Sequence, residues 1–278
     1  MKRTKAEYNN LLKLAKETAL EAGSLLIKYQ KQLGKLQVES KKALGVVSEA
    51  DVNSEKLIIK KFKNFDSSFN FLGEEGHYQN HGESKIYNES EDNLWIIDPL
   101  DGTSNYLSGL DLYCICLALV DKGSVVLSVV YAPALEEMYY AVKGEGSFYQ
   151  KSNSKPKKLK CSKIPKLKDS LLVTGFVSEK GSVFEHEFSL FREIMTKCRG
   201  VRRLGSAALD ICFVAKGVLD GFWERGLSPW DTAAPSLIAT EAGYKISDYC
   251  GKKYSPFDET VLCCNKSIAP SLKKILNK

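Results

Sequence analysis

Apolar positions recur along the chain at two periods, and the switches between them divide it into elements. Over residues 5–32, Leu11, Leu14 or Ala15, Thr18, Ala22, Leu25 and Tyr29 fall at helical spacing with Lys and Glu between them. That pattern predicts a long amphipathic helix, stopped by Gly34. Residues 35–52 turn polar and lysine-bearing around a short Val46-Val47 strand, and a second helix follows from about Asn53 to Phe65. The stretch F-N-F-L-G-E-E-G at 69–76 reads as a short strand that ends in glycine and then acids. The next apolar run, Leu94-Trp95-Ile96-Ile97, fits a buried strand that stops at Asp98-Pro99, because proline cannot donate to a sheet ladder.

Two β-rich runs at 113–120 and 124–131 are joined by D-K-G, a hairpin turn, and a further run at 137–142 continues the sheet. The polar tract K-S-N-S-K-P-K-K at 151–158 is the best boundary, dividing the chain into halves 1–150 and 151–278. The second half predicts strands at 171–176 and 219–224 and helices at 184–198, 206–217 and 232–242. Strands near 244–246 and 260–264 and a short helix at 271–276 complete it.

With 278 residues, 44% hydrophobic and 27% charged, the chain can bury a sizeable core and has the composition of a soluble protein. No apolar run reaches membrane-spanning length and the start M-K-R-T-K-A-E-Y has no signal-peptide core, so cytoplasmic residence is the expectation. The eight cysteines do not form metal-ligand spacings; Cys114, Cys116, Cys263 and Cys264 sit in apolar runs as small buried hydrophobes, so reduced thiols are expected. The net charge of +6 raises nucleic acid as a partner. Yet the lysine cluster at 151–168 has no interleaved aromatics, and a solvated basic face accounts for it.

The candidate chemistry lies in W-I-I-D-P-L-D-G-T-S-N-Y at 95–106. Asp98 and Asp101 stand three apart in a turn, Gly102 permits close approach of a ligand, and Thr103 starts a short helix whose amides would face an anion. Paired carboxylates beside an anion site call for a cation between them, and carboxylate with phosphate is the set that Mg²⁺ prefers. Other acids follow the same layout: Glu74, with Glu75 beside it, after Gly73, and Asp231 at the start of a helix. Taken singly, each of these, and Asp51 before the second helix, would be a cap or a solvated loop. His77 and His81 have the i,i+4 spacing of a ligand pair, but their Gln, Asn, Gly and Ser surroundings predict an exposed loop.

The segment at 95–106 resembles the first signature of the inositol monophosphatase family, and W-D-T-A-A-P-S-L-I-A-T-E-A-G at 230–243 resembles its second, with Pro235 and Tyr244 where the family usually has Gly. Pro235 is expected in the first turn of its helix, where a missing N–H is tolerated. The resemblance covers nearly the whole chain. It implies an α/β fold, the layered α-β-α-β-α sandwich of this phosphatase superfamily, with the acids converging between the halves.

It further implies a Mg²⁺-dependent, lithium-sensitive phosphatase, homodimeric and free of any phospho-enzyme, that hydrolyses a small phosphate monoester with two to three ions. One ion falls to Glu74, Asp98 and the Leu100 carbonyl, a second to Asp98, Asp101 and Asp231, and a weaker third to Glu74 with waters. Thr103 with Asp51 would orient the attacking water, the amides of Gly102 and Thr103 would bind phosphate, and Lys41 or Lys42 would sit in a loop over the site. Asp101, Gly205, Ser206, Ala207 and Glu224 would contact a hydroxylated ring. D-G-T-S-N-Y is closest to inositol-1-phosphate phosphatases. Relatives acting on fructose 1,6-bisphosphate, histidinol phosphate or 3′-phosphoadenosine compounds stay open, as does a non-catalytic RNA- or polymerase-binding role.

Overall fold

The computed structural model describes residues 3–36, 38–40, 46–81, 92–176 and 181–278. The expected loop lysine, Lys41 or Lys42, lies outside them. Helix α1 (Lys5–Gln30) is opened by a capping box between Thr4 and Glu7, and ends at Gln30, with Gly34 in a following 3₁₀ turn rather than at the stop. Strands β1 (Val38–Ser40) and β2 (Val46–Ser48) pair and lead into α2 (Glu49–Phe65). Strand β3 (Asn70–Gly73) and α3 (Glu74–His81) precede β4 (Leu94–Asp101) and the short α4 (Thr103–Leu107). Strands β5 (Cys114–Asp121), β6 (Ser124–Ala132), β7 (Glu137–Val142), β8 (Gly146–Lys151) and β9 (Lys157–Lys158) extend a seven-stranded sheet in the order β3 to β9, in which β3 alone runs parallel to its neighbour.

The chain then builds a second sheet. It contains β10 (Leu171–Thr174), β11 (Gly200–Arg202), β12 (Gly221–Arg225), β13 (Lys245–Ser247) and β14 (Thr260–Cys264), in the order β11-β10-β12-β14-β13. Helices α5 (Ser182–Met195), α6 (Ala207–Ala215), α7 (Pro229–Glu241) and α8 (Ala269–Leu276) cover it or separate it from the first sheet.

Alternation along the strands explains the layering. Trp95, Ile97, Leu117 and Leu119 face α1 and α2, whereas Ile96, Cys116 and Ala118 face a middle layer made of α6 and α7. The second sheet repeats the arrangement: Phe222 and Cys263 join the middle core, while Trp223, Leu262 and Cys264 pack outward on α5 and α8. Both sheets are therefore covered on both faces, which is why their strands read as unbroken apolar runs. The result is the expected α-β-α-β-α sandwich.

Among the local departures from the sequence reading, four bear on the site, and each has a physical cause. Helix α2 begins at Glu49, not Asn53, because Ser48 caps it and Asp51 reaches back to the Ser48 backbone. Strand β4 does not stop before Pro99; it continues to Asp101 across a bulge, one of the few places where a sheet tolerates proline. Residues 74–81 form α3 rather than an exposed loop, and His77 is buried against the Trp230 ring, centroids 5.6 Å apart. Helix α7 starts at Pro229, so Pro235 lies in its interior instead of its first turn and gives up one i→i−4 hydrogen bond.

Aromatic packing against β4 holds α2 of the outer layer in place. Phe62 stacks on Trp95 at 4.2 Å between centroids, and both rings are fully buried. Phe62→Ala is expected to cost about 3–5 kcal/mol of unfolding free energy. Denaturant unfolding checks this, and a midpoint equal to wild type contradicts it.

Candidate metal centre

In a regular strand, residues three apart point to opposite faces. Asp98 and Asp101 escape that rule because the β4–β5 register shifts between them: Asp98 pairs with Cys116 and Asp101 with Cys114, so β4 carries one extra residue across the bulge. Both carboxylates thus turn the same way. Asp98 is fixed by the Leu100 N–H, which donates to its Oδ1 at 2.9 Å. Asp101 Oδ2 accepts from the Ser206 hydroxyl and from the Ala208 N–H at 2.9 Å, which binds the end of β4 to the start of α6. Gly102 follows with φ +91°, and a Cβ there would stand 2.9 Å from the Leu112 carbonyl, so only glycine fits.

Two helices deliver further acids by one device. Asp51 and Asp231 are each the third residue of their helix and reach back to the capping serine, Asp51 Oδ2 accepting from Ser48 N–H at 2.9 Å and Asp231 Oδ2 from Ser228 N–H at 2.7 Å. Capping fixes each side chain's direction. The second oxygen of Asp51, Oδ1, meets the Thr103 hydroxyl at 3.0 Å, which also lies 3.1 Å from the Leu100 carbonyl. One oxygen each of Asp98, Asp101 and Asp231 lies within 4.8 Å of the other two.

Glu74 opens α3, and its charge acts on Asp51, Asp98 and Asp101 alike. The sequence reading missed what holds it there. Glu55, buried at 5% exposure, accepts from Glu75 N–H at 2.9 Å and Gly76 N–H at 2.8 Å, so it caps α3 from the side of α2. Ser54 beside it donates to the Pro99 carbonyl at 3.1 Å. One face of α2, carrying Asp51, Ser54 and Glu55, therefore braces Thr103, the bulge and α3 together. The i,i+4 spacing of Asp51 and Glu55 was a visible signal, concealed by starting the helix at Asn53. A second overlooked brace is Asn105, whose amide donates to the Leu112 and Leu204 carbonyls at 2.7 and 2.8 Å and ties the first signature to the loop before Gly205.

Beside the acids lies a cavity of about 190 Å³, lined among others by Asp101, Gly205, Ser206, Ala207, Glu224 and Asp231. Those are the residues expected at the ring of a substrate. Gly102 and Thr103 stand outside this lining.

Crowding shows in the proton affinities. Burial and the charges of Glu74, Asp101 and Asp231 push the Asp98 carboxyl well above the usual carboxylate range. Burial raises Asp101 to about 6 despite its hydrogen bonds from Ser206 and Ala208, and raises Asp51 to about 6 despite those from Ser48. Glu224 is raised to about 8 by burial and by the charges of Asp231 and Asp101. Buried carboxylates that repel one another, all hard oxygen donors, form a set that a divalent cation such as Mg²⁺ fits.

Two outcomes are expected. These carboxyls bind protons more tightly folded than unfolded, so their contribution to stability is present below about pH 4 and lost as pH rises through about 6 to 8. The Tm of metal-free protein should therefore fall between pH 5 and pH 8, and Mg²⁺, which favours the charged forms, should raise it more at pH 8; a Tm insensitive to both contradicts the cluster. Glu55→Ala should weaken Mn²⁺ or Mg²⁺ binding by about 10–100-fold, with Glu55→Gln intermediate. Calorimetric titration of the metal measures it, and wild-type affinity in Glu55→Ala contradicts the bracing role.

The profile of the inositol monophosphatase family matches residues 7–278. The chain is 35% identical to the inositol-1-monophosphatase of Mesorhizobium japonicum over 269 residues, 96% of each protein. It is 31% identical to the Nus factor SuhB of Xylella fastidiosa over 94% of this chain and 92% of that protein. Among solved structures, the extragenic suppressor protein suhB of Bartonella henselae superposes with a TM-score of 0.85 at 31% identity, over 97% of this chain and 99% of that one. A match spanning the chain and both acid-bearing segments settles the family: this protein belongs to the inositol monophosphatases.

Proposed function

We propose that the chain is a Mg²⁺-dependent phosphoric monoester hydrolase for a small phosphorylated polyol, inositol-1-phosphate foremost. The observation that carries this reading is the gathering of Asp98, Asp101 and Asp231, ligand atoms within 4.8 Å of one another, beside a cavity with polar lining. Glu74, Asp98 and the Leu100 carbonyl would hold one ion, Asp98, Asp101 and Asp231 a second, and Glu74 with waters a third. Bound there, Mg²⁺ supplies neutralisation of the phosphate charge and a lowered pKa for a water.

The chain's own residues do the rest. The single proton of the Thr103 hydroxyl is directed to Asp51 Oδ1 or to the Leu100 carbonyl, which leaves the oxygen's lone pairs facing outward to accept from the attacking water. Asp51, held by Ser48, keeps that hydroxyl oriented, so the water attacks phosphorus directly. Asp101 and Glu224 accept hydrogen bonds from the leaving polyol, with Gly205, Ser206 and Ala207 shaping its seat. In this reading residues 1–150 supply most of the metal-binding acids, and residues 151–278 supply Asp231 and the substrate wall. The protein works as a homodimer, as the resemblance implies.

A second reading is favoured by the relatives called Nus factor SuhB and by the exposed lysines between Lys151 and Lys168. It makes the chain an RNA- or polymerase-binding regulator. Salt-sensitive RNA binding that survives Asp98→Asn, without phosphatase activity in wild type, would support it.

The deciding assay measures phosphate release with Mg²⁺ from inositol, fructose, histidinol and 3′-phosphoadenosine phosphates. The expected result is turnover, fastest with inositol-1-phosphate and inhibited by Li⁺; no release from any ester contradicts the reading. Asp98→Asn or Asp231→Asn should cut kcat by at least about a hundredfold. The fold should survive, Asp231→Asn costing up to about 1 kcal/mol as a weakened cap. Full activity of either variant at saturating Mg²⁺ contradicts the ligand assignment.

A further inference from the structure

His77 and His81 have the spacing of a ligand pair, yet the acids that gather among the described residues are Asp98, Asp101 and Asp231, with no histidine in the group. What His77 does instead follows from where α3 puts it. That helix has eight residues, E-E-G-H-Y-Q-N-H, and carries no apolar stripe to seat it on a core. Two turns of such a sequence take a fixed orientation only if neighbours supply it. Glu55 fixes the start by accepting from the Glu75 and Gly76 N–H groups. A cap at one end restrains a helix poorly against rolling about its own axis, and that roll decides where the Glu74 carboxylate points.

Glu74 and His77 are three apart, so they share one face of α3. The His77 ring is 8% exposed and packs against the Trp230 ring, with centroids 5.6 Å apart and planes at 50°. Rings at that separation attract one another. Trp230 is anchored in turn: it is buried in the middle core and is the second residue of α7, directly before Asp231. The contact therefore joins the helix that carries Glu74 to the helix that carries Asp231. Those two acids come from opposite halves of the chain, and the charges of both act on Asp98.

We propose that His77 is a positioning residue of the metal centre: its ring, seated on Trp230, sets the roll of α3 and so the placing of Glu74 relative to Asp231. This rests on the ligand assignment above. Without the contact, α3 keeps its Glu55 cap, but Glu74 samples directions away from Asp98 and the ions it would hold bind more weakly. The ring carries the role rather than a ring nitrogen, which separates positioning from ligation.

The experiment titrates Mn²⁺ by calorimetry into metal-free wild type, His77→Ala, His77→Phe, Trp230→Leu and the variant combining His77→Ala with Trp230→Leu. Unfolding midpoints are measured on the same metal-free samples, and His77→Leu replaces His77→Ala if the latter does not fold. His77→Ala should bind Mn²⁺ about tenfold more weakly than wild type. His77→Phe, which keeps a ring against Trp230, should stay within about threefold of wild type. Because the effect passes through Trp230, adding His77→Ala to Trp230→Leu should cost less than about threefold further. Wild-type affinity in His77→Ala overturns the proposal, whatever the midpoint does, and leaves His77 a packing residue. An equal loss in His77→Phe and His77→Ala overturns it in favour of a ring nitrogen, and losses that multiply in the double variant overturn the route through Trp230. If the Trp230 variants do not fold, the Ala and Phe results decide. Should wild type bind no Mn²⁺, the metal-centre reading fails and the role of His77 goes with it; equal binding by wild type and His77→Ala ends that role alone.

Discussion

Like charges confined together out of water govern this structure. Asp98, Asp101 and Asp231 bring oxygens within 4.8 Å of one another, and Glu74 adds its charge to two of them. Left to themselves such groups would separate, bind protons or turn to solvent. The protein prevents separation by committing part of each side chain to a backbone amide: Leu100 for Asp98, Ala208 for Asp101, Ser228 for Asp231. The repulsion that remains is what a divalent cation would relieve.

The layered fold makes that confinement affordable. Carboxylates fixed on rigid elements cannot relax apart, and each acid comes from a different kind of element: a bulge in β4, the first turn of α7, the first residue of α3. Both sheets and the helices between them are close-packed around those points, from Trp95 and Phe62 on one side to Trp223 on the other. Helix α2 then spreads its influence over the site through Asp51, Ser54 and Glu55, linking Thr103, the Pro99 carbonyl and α3. The cavity beside the acids is lined on its other side by residues of α6 and β12, Glu224 among them.

Much of this was legible in the sequence. The long α1, the β5–β6 hairpin, β7 and β14 follow from periodicity and turn residues, because each is long or bounded by clear punctuation. The two signature segments indicated the acids, yet only the family resemblance joined them; nothing in the spacing of Glu74, Asp98 and Asp231 says they meet. Capping is where local reading failed. At Asp51 and Asp231 an acid before an apolar run looks like the residue ahead of a helix, but both sit inside it, three residues beyond the capping serine. That single misreading displaced the start of α2, hid Glu55 and put Pro235 in the wrong turn. The bulge was illegible for another reason, since a proline in a strand argues for its end unless the partner strand's register is known. His77 and Glu75 looked exposed by composition, and long-range packing against Trp230 and capping by Glu55 reversed that.

The most direct measurement is anomalous diffraction from crystals grown with Mn²⁺ in place of Mg²⁺. The strongest anomalous peaks are expected among the carboxylates of Glu74, Asp98, Asp101 and Asp231, next to the cavity that carries Glu224. A map with no peak there at saturating Mn²⁺, or with these side chains turned away from one another, would contradict that expectation.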